Sequence, residues 1–221
     1  MKFRHEYKHP VNQVDIFCLR TRLSQVMQRD SNADENGGYI VRSLYFDNVW
    51  DSALRQKIDG VNHREKFRIR YYNSDTSFLR LEKKSKHNGM CLKESARLTK
   101  EMCEDILSGN IEVLLHSREP LLHELYAKMR YQLLRPRCVV VYRRESFVFA
   151  PGNVRVTIDT NLSGSNCPRD FLNPEQILLP GFAPGVLEVK WDEYLPEVIR
   201  SAVQLRSRRT TAFSKYAAIR R

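Results

Sequence analysis

The sequence has no closely spaced cysteine pairs and no long apolar run, and each absence argues against a class of protein. Its five cysteines are widely spaced over 221 residues without a CxxC pair, which argues against both a disulfide framework and a zinc module. No stretch is apolar enough to cross a bilayer, and no signal-peptide core follows the charged N-terminus. We therefore expect a cytoplasmic protein without a transmembrane segment.

Internal repeats, low-complexity segments and linkers are also lacking, so nothing marks a domain boundary. With 42% hydrophobic residues, the chain is long enough to bury one sizeable core. We expect a single domain over residues 1–221.

Acidic residues are in the minority. The chain has 37 Lys and Arg against 26 Asp and Glu, which gives a net charge of +11. Such an excess indicates a polyanionic partner: nucleic acid, an anionic membrane surface or a phosphorylated substrate. No helix-turn-helix or aromatic RNA-binding signature is present, so specific nucleic-acid binding is not expected.

One segment alternates cations with apolar residues. Residues 65–72 read EKFRIRYY, which places Lys66, Arg68 and Arg70 on one side of a strand and apolar side chains on the other. Residues 80–84, 155–159 and 187–191 alternate in the same way. A single such strand is equally typical of an ordinary solvated sheet face. Several together predict a charged sheet face that binds an anion.

The apolar pattern predicts strands at about 3–9, 39–47, 66–73, 77–85, 90–98, 137–142, 146–149, 154–162 and 186–191. It predicts helices at about 11–27, 51–57, 99–107, 120–132 and 195–205, the first capped by Asn12. This is an α+β fold whose mainly antiparallel sheet can close into a barrel. Because closure buries many cations, the interior has to be a hydrated channel holding carboxylates, metal or phosphate.

Eight short segments add a family signal through their order and spacing. They are SLYFDN at 43–48, FRIRYY at 67–72, EKK at 82–84, LKE at 92–94, RRESF at 143–147, VRVTIDT at 154–160, LEVK at 187–190 and FSKY at 213–216. Together they resemble the VTC domains of polyphosphate polymerases, a branch of the triphosphate tunnel metalloenzymes. The resemblance implies an eight-stranded antiparallel β-barrel tunnel flanked by helices. It also implies transfer of the terminal phosphoryl group of ATP onto a growing inorganic polyphosphate chain.

The resemblance carries a set of site residues over to this chain. The implied catalytic residues are Arg68, Arg70, Lys84, Arg144 and Arg155, the implied substrate-binding residues are Lys8, Lys93, Lys190 and Lys215, and Glu188 is the implied ligand of Mn²⁺ or Mg²⁺. Fixed cations suit this chemistry because the migrating phosphoryl group carries negative charge on its peripheral oxygens. Oxygen ligation suits either metal ion.

Several positions have a second interpretation. Each cation also fits a solvated strand position, and only one of the neighbouring Arg143 and Arg144 can face inward; the resemblance favours Arg144. Glu82 and Glu94 either contact metal or pair with Lys84 and Lys93, and pairing is the favoured interpretation. Tyr45 and Asp47 are expected to be structural, and the six histidines show no ligand spacing.

The first strand departs from the wider superfamily. The CYTH branch, which includes triphosphatases and class IV adenylyl cyclases, has Glu-x-Glu-x-Lys there, whereas this chain has Arg4, Glu6 and Lys8. An arginine in place of the first carboxylate adds positive charge and favours a polymerase. An inorganic or nucleoside triphosphatase and a non-catalytic polyanion-binding module are the alternatives. Without an attached SPX domain, we expect a separate regulatory or membrane-protein partner.

Overall fold

The computed structural model describes residues 4–87, 90–181, 185–205 and 208–220. Its strands are β1 (His5–Pro10), β2 (Gln28–Arg29), β3 (Tyr39–Asp47), β4 (Arg64–Tyr72), β5 (Asp75–His87), β6 (Met90–Leu98), β7 (Arg135–Phe149), β8 (Val154–Ser165), β9 (Leu179–Pro180) and β10 (Gly185–Trp191). Its α-helices are α1 (Gln13–Val26), α2 (Ser52–Ile58), α3 (Lys100–Ser108), α4 (Pro120–Tyr131), α5 (Glu197–Ala202) and α6 (Lys215–Arg220). Within these ranges, no helix has the length and apolarity needed to cross a membrane.

Eight of the strands form one curled antiparallel sheet in the order β1-β10-β8-β7-β3-β4-β5-β6. The two short strands add to its margins, β2 on β7 and β9 on β8. The edge strands β1 and β6 approach each other, and an isolated backbone bridge links Arg4 to Cys91 across that seam. The predicted eight-stranded antiparallel fold flanked by helices is thereby confirmed. Its sheet is a half-barrel with a seam, not a continuous hydrogen-bonded cylinder.

The outer face of the sheet is apolar and is covered by helices. Phe67 and Ile69 of β4 are fully buried in a core with residues of α3 and α4. Elsewhere on the same outer face, Val156 of β8 and Leu187 of β10 pack in a second core with residues of α1 and α5. Burial of each such side chain contributes roughly 1.5–3 kcal/mol to folding. Because alternate residues of a strand point to opposite faces, this packing leaves the charged residues of the same strands inside.

Strand β7 is longer than the sequence indicated. The Arg-Arg-Glu run at 143–145 interrupts the apolar pattern and predicts two strands, but the structure has one strand of 15 residues. Each charge in the run has a partner: Arg143 with Asp34, Arg144 with Asp159, and the buried Glu145 with Arg20 of α1. The strand continues because these ion pairs offset the cost of burying the charges.

The C-terminal helix α6 was not predicted. Its Tyr216 lies inside the curled sheet, stacked on Tyr45 with ring centroids 5.2 Å apart, and donates a hydrogen bond of 2.8 Å to Oδ2 of Asp47. Asp47 also accepts from the backbone N–H groups of Ala53 and Leu54 at the start of α2. Six basic and apolar residues carry too short a pattern to predict a helix. Tertiary contacts hold α6 in place.

Candidate active site inside the curled sheet

Charged side chains at alternating positions line the inner face of the sheet and form what is termed the tunnel wall below. Its cations are Lys8 (β1), Arg68 and Arg70 (β4), Lys84 (β5), Lys93 (β6), Arg144 (β7), Lys190 (β10) and Lys215 (α6), and its carboxylates are Glu6 (β1), Glu82 (β5), Asp159 (β8) and Glu188 (β10). The structure therefore brings together nine of the ten site residues that the resemblance implied. The tenth, Arg155, lies on the same face opposite Lys190 and pairs with Asp30.

Glu82 holds three cations of the wall. The carboxylate is buried, lies 2.6 Å from the guanidinium of Arg68 and 3.8 Å from that of Arg70, and also binds Lys93. Burial alone would raise the pKa of Glu82, but Arg68, Arg70 and Lys93 hold it below its ordinary value. Glu82 is consequently ionised at neutral pH and positions the two arginines.

Glu188 and Glu6 share a second group of cations. The Glu188 carboxylate lies 3.1 Å from Nζ of Lys190, 3.4 Å from Nζ of Lys8 and 3.7 Å from Arg144. Glu6 lies 3.1 Å from Nζ of Lys8. Burial would raise the pKa of Glu188, but the surrounding cations, Lys190 and Lys8 first, hold it well below its ordinary value.

Burial has the opposite effect on one of these cations. It lowers the pKa of Lys190 to about 8, and the attraction of Glu188 only partly opposes this effect. The charge of Lys190 is therefore sensitive to pH near 8, whereas Glu188 and Glu6 outweigh burial at Lys8 and hold its pKa above the ordinary value.

Asp159 connects the wall to the C-terminal helix. Arg144 donates two hydrogen bonds to its carboxylate, of 2.7 and 2.8 Å, and Nζ of Lys215 lies 2.6 Å away. The neighbouring Arg143 points to the other face of β7 and pairs with Asp34 at 2.9 Å. Because Lys215 is the first residue of α6, the wall includes a side chain from a helix as well as side chains from the strands.

Hydroxyl groups position the two arginines of β4 further. Arg70 donates to Oγ of Ser43 and to the phenol of Tyr142, both at 3.0 Å. Arg68 donates to the phenol of Tyr45 at 3.1 Å. Tyr45 thus belongs to the site, whereas sequence analysis treated it as structural. The alternation of Ser43 and Tyr45 along β3 is the signal that predicts a shared face.

Three residues of the sequence analysis have ion-pair partners that the sequence did not predict. Arg155 is the cross-strand partner of Lys190 and shares the inner face, but its side chain is half exposed and pairs with Asp30 at 3.5 Å. Glu94 pairs with Lys83 on the outer face, not with Lys93. Arg4 lies at the seam, where it lines the same cavity as Glu6 and Lys8, and its Nε is 2.8 Å from Asp192.

The arrangement fits a metal ion that arrives with phosphate. In the described ranges, no group of three His, Cys, Asp or Glu side chains is placed to hold a metal. Glu188 and Glu6 are the carboxylates that share Lys8 and Lys190. Magnesium is commonly held by one or two carboxylates, with phosphate and water completing the shell. Two carboxylates among lysines suit that mode of binding.

Comparisons with known proteins agree with this fold. The family profile described as the VTC domain matches residues 3–220. No curated protein matches the chain. Among solved structures, a candidate adenylate cyclase from Bacillus halodurans superposes with a TM-score of 0.52 at 14% identity, covering 91% of this chain and 86% of that one. Another from Vibrio parahaemolyticus gives 0.48 at 12% identity, covering 90% and 82%. Since the profile spans nearly the whole sequence, the chain belongs to the VTC domain family.

Proposed function

We propose that this protein is a metal-dependent polyphosphate polymerase that transfers the terminal phosphoryl group of ATP to a growing inorganic polyphosphate chain. The supporting observation is the charge imbalance of the tunnel wall, which has eight cations against four carboxylates. Burying unbalanced cations is costly unless an anion compensates them. A triphosphate tail is an anion of suitable charge and shape.

The cations are proposed to stabilise the transition state. As the bond between the γ-phosphorus and its bridging oxygen breaks, a terminal oxygen of the polyphosphate chain forms a bond to that phosphorus and ADP leaves. Arg68 and Arg70 offer planar forks to the peripheral oxygens, and Glu82 with the phenols of Tyr45 and Tyr142 keeps those forks fixed. The attacking phosphate is already ionised, so no general base is required.

A divalent cation, Mn²⁺ or Mg²⁺, completes the proposal. Glu188, with Glu6 beside it, is the carboxylate that would hold the ion, and the ion would neutralise charge on the phosphate oxygens. Lys8 and Lys190 then bind phosphate from the same side of the wall.

A triphosphatase is the second candidate, and Glu6 favours it. Glu6 occupies the middle position of the acidic first strand described above and lies in the wall beside Lys8. The pairing of Arg4 with Asp192 also weakens one argument for a polymerase, because a carboxylate compensates the charge of Arg4.

Incubation of the purified protein with ATP and Mn²⁺ separates the candidates. A polymer that resists pyrophosphatase and is degraded by exopolyphosphatase supports the polymerase. Release of orthophosphate alone supports the triphosphatase. If neither polymer nor orthophosphate forms, the result supports a binding module. Glu188→Gln serves as the matched control for contaminating activity, because it changes one carboxylate to its amide.

A further inference from the structure

A cavity of about 450 Å³ lies where β4 begins and β5 ends, beside the seam. Its lining contains Arg4, Lys8 and Lys84, which pair with carboxylates, and four further cations: Lys57 from α2, Arg64 and Lys66 from β4, and Lys86 from β5. These four residues are termed the collar. Of the four, sequence analysis noticed Lys66 alone and assigned none to the site.

The collar differs from the tunnel wall because it lacks carboxylate partners. In the part of the chain that the structure describes, none of the four cations has a carboxylate within 4.0 Å, the limit for an ion pair. Arg64 donates to the carbonyl of Val61, and Nζ of Lys66 lies 5.5 Å from the ring centre of Tyr45. The collar is therefore an uncompensated group of positive charges.

The two carboxylates that line the same cavity are engaged elsewhere. Glu6 binds the wall residues Lys8 and Lys84. Glu65 binds Lys83 at 3.5 Å and also Lys128 of α4. Neither can neutralise the collar without giving up these ion pairs.

Burial and neighbouring like charges lower the pKa of two collar lysines. Burial, together with Arg64, Lys8 and Lys86, lowers the pKa of Lys57. Burial, together with Lys84, Arg68 and Lys8, lowers the pKa of Lys66 to about 7, although the phenol of Tyr45 opposes this. An anion in the cavity would relieve this repulsion.

We propose that the collar binds phosphates of a polyphosphate chain beyond those held by the tunnel wall, so that affinity rises with chain length. This inference rests on the proposed function. The excess of cations in the wall already suits one triphosphate tail, and the collar adds four cations at the end of the same tunnel. A repeating phosphate chain continues in one direction with charge on every unit, whereas a nucleoside does not. The collar thus fits inorganic polyphosphate.

The test compares a collar variant with a variant of equal charge. Lys57→Gln combined with Lys86→Gln removes two collar charges and leaves the wall intact. Lys100→Gln combined with Arg118→Gln removes two charges from exposed positions near the outer helices. Binding of tripolyphosphate and of long-chain polyphosphate is measured by calorimetry without metal, at several salt concentrations.

The collar variant is expected to bind long-chain polyphosphate on the order of tenfold more weakly, with a salt dependence shallower by about 1 for each phosphate that the variant no longer neutralises. Its affinity for tripolyphosphate and the affinities of the control stay at the parent values. The collar proposal is overturned if the collar variant loses affinity equally for both ligands, or if its affinities do not differ from those of the control. If the parent fails to bind tripolyphosphate while the collar variant still loses long-chain affinity, the proposed function fails and the collar stands.

Discussion

Lys83 and Lys84 are neighbours of the same type on β5, yet they lie in opposite electrostatic surroundings. Lys83 points outward, where Glu65, Glu94 and Glu124 all lie within 4 Å of its ammonium group. Lys84 points inward and pairs with Glu6, which Lys8 also contacts. Carboxylates are thus in excess around one lysine and shared around the other. The supply of counter-charge, not the residue type, distinguishes a structural cation from one available to an anion.

Removal of a cation from the inner face of the sheet should have the largest effect on polymer formation. Arg70→Ala removes a guanidinium from the wall while the apolar outer face of β4 is unchanged, so polymer formation should fall by roughly 10²–10³-fold or more with the protein still folded. Arg68→Ala should behave alike. The assay is polymer yield from ATP, with circular dichroism to verify folding.

Lys83→Ala supplies the outer-face control. It should lower thermal stability, because three glutamates lose their shared partner, yet keep polymer yield. Normal activity in folded Arg70→Ala protein would remove this residue from the site.

A single carboxylate tests the counter-charge of the wall. Glu188→Gln keeps the side-chain size but removes the charge proposed to hold the cation, so ATP should still bind while turnover falls by about tenfold or more. High Mn²⁺ should restore part of the rate. Titration of activity against Mn²⁺ measures this, and a fall in rate that no metal concentration relieves would contradict a metal-holding role.

Lysine protonation provides a pH test. Because the pKa of Lys190 is lowered to about 8, its positive charge is present below that pH and lost above it. Tripolyphosphate affinity without metal should therefore fall several-fold from about pH 7 to about pH 9. Lys190→Arg should flatten the profile, since arginine stays charged. Identical profiles for the two proteins would assign the pH dependence to another group.

A smaller effect is expected from the hydrogen bond that holds α6. Tyr216→Phe removes the phenol that donates to buried Asp47, which should cost roughly 1 kcal/mol of unfolding free energy. Urea denaturation measures the loss, and Tyr131→Phe, at a tyrosine that is 80% exposed, is the control. Equal stabilities of the two variants would show that the hydrogen bond contributes little.

The smallest effect on product is expected at the seam. Arg4→Glu places two carboxylates together at Asp192, so the melting temperature should fall. The ratio of polymer-bound to free phosphate should stay that of the parent, because Asp192 already compensates the charge of Arg4. A lower ratio of polymer-bound to free phosphate at constant metal concentration would show that Arg4 helps to hold the polymer.

Strand alternation predicted much of this fold because it is a local property. The three residues Phe67, Arg68 and Ile69 already specify which side of β4 is apolar, and the packing agrees. The partner of a charge is not local. Sequence alone paired Glu94 with Lys93, whereas the strand geometry turns Glu94 outward to Lys83. Helix α6 escaped prediction for the same reason, since residues distant in sequence hold it.

The pairing of β1 with β10 has a consequence for the order of assembly during synthesis. Lys8 on the first strand faces Glu188 on the last, so its main counter-charge emerges from the ribosome about 180 residues later, and Lys215 follows later still. Domains rich in such distant pairings fold slowly, because the intervening loop must close before the pairing forms. A nascent chain arrested before β10 would carry the cations of β4 without a completed wall. The complete wall, and with it the proposed anion site, therefore depends on residues that are synthesised long after β4.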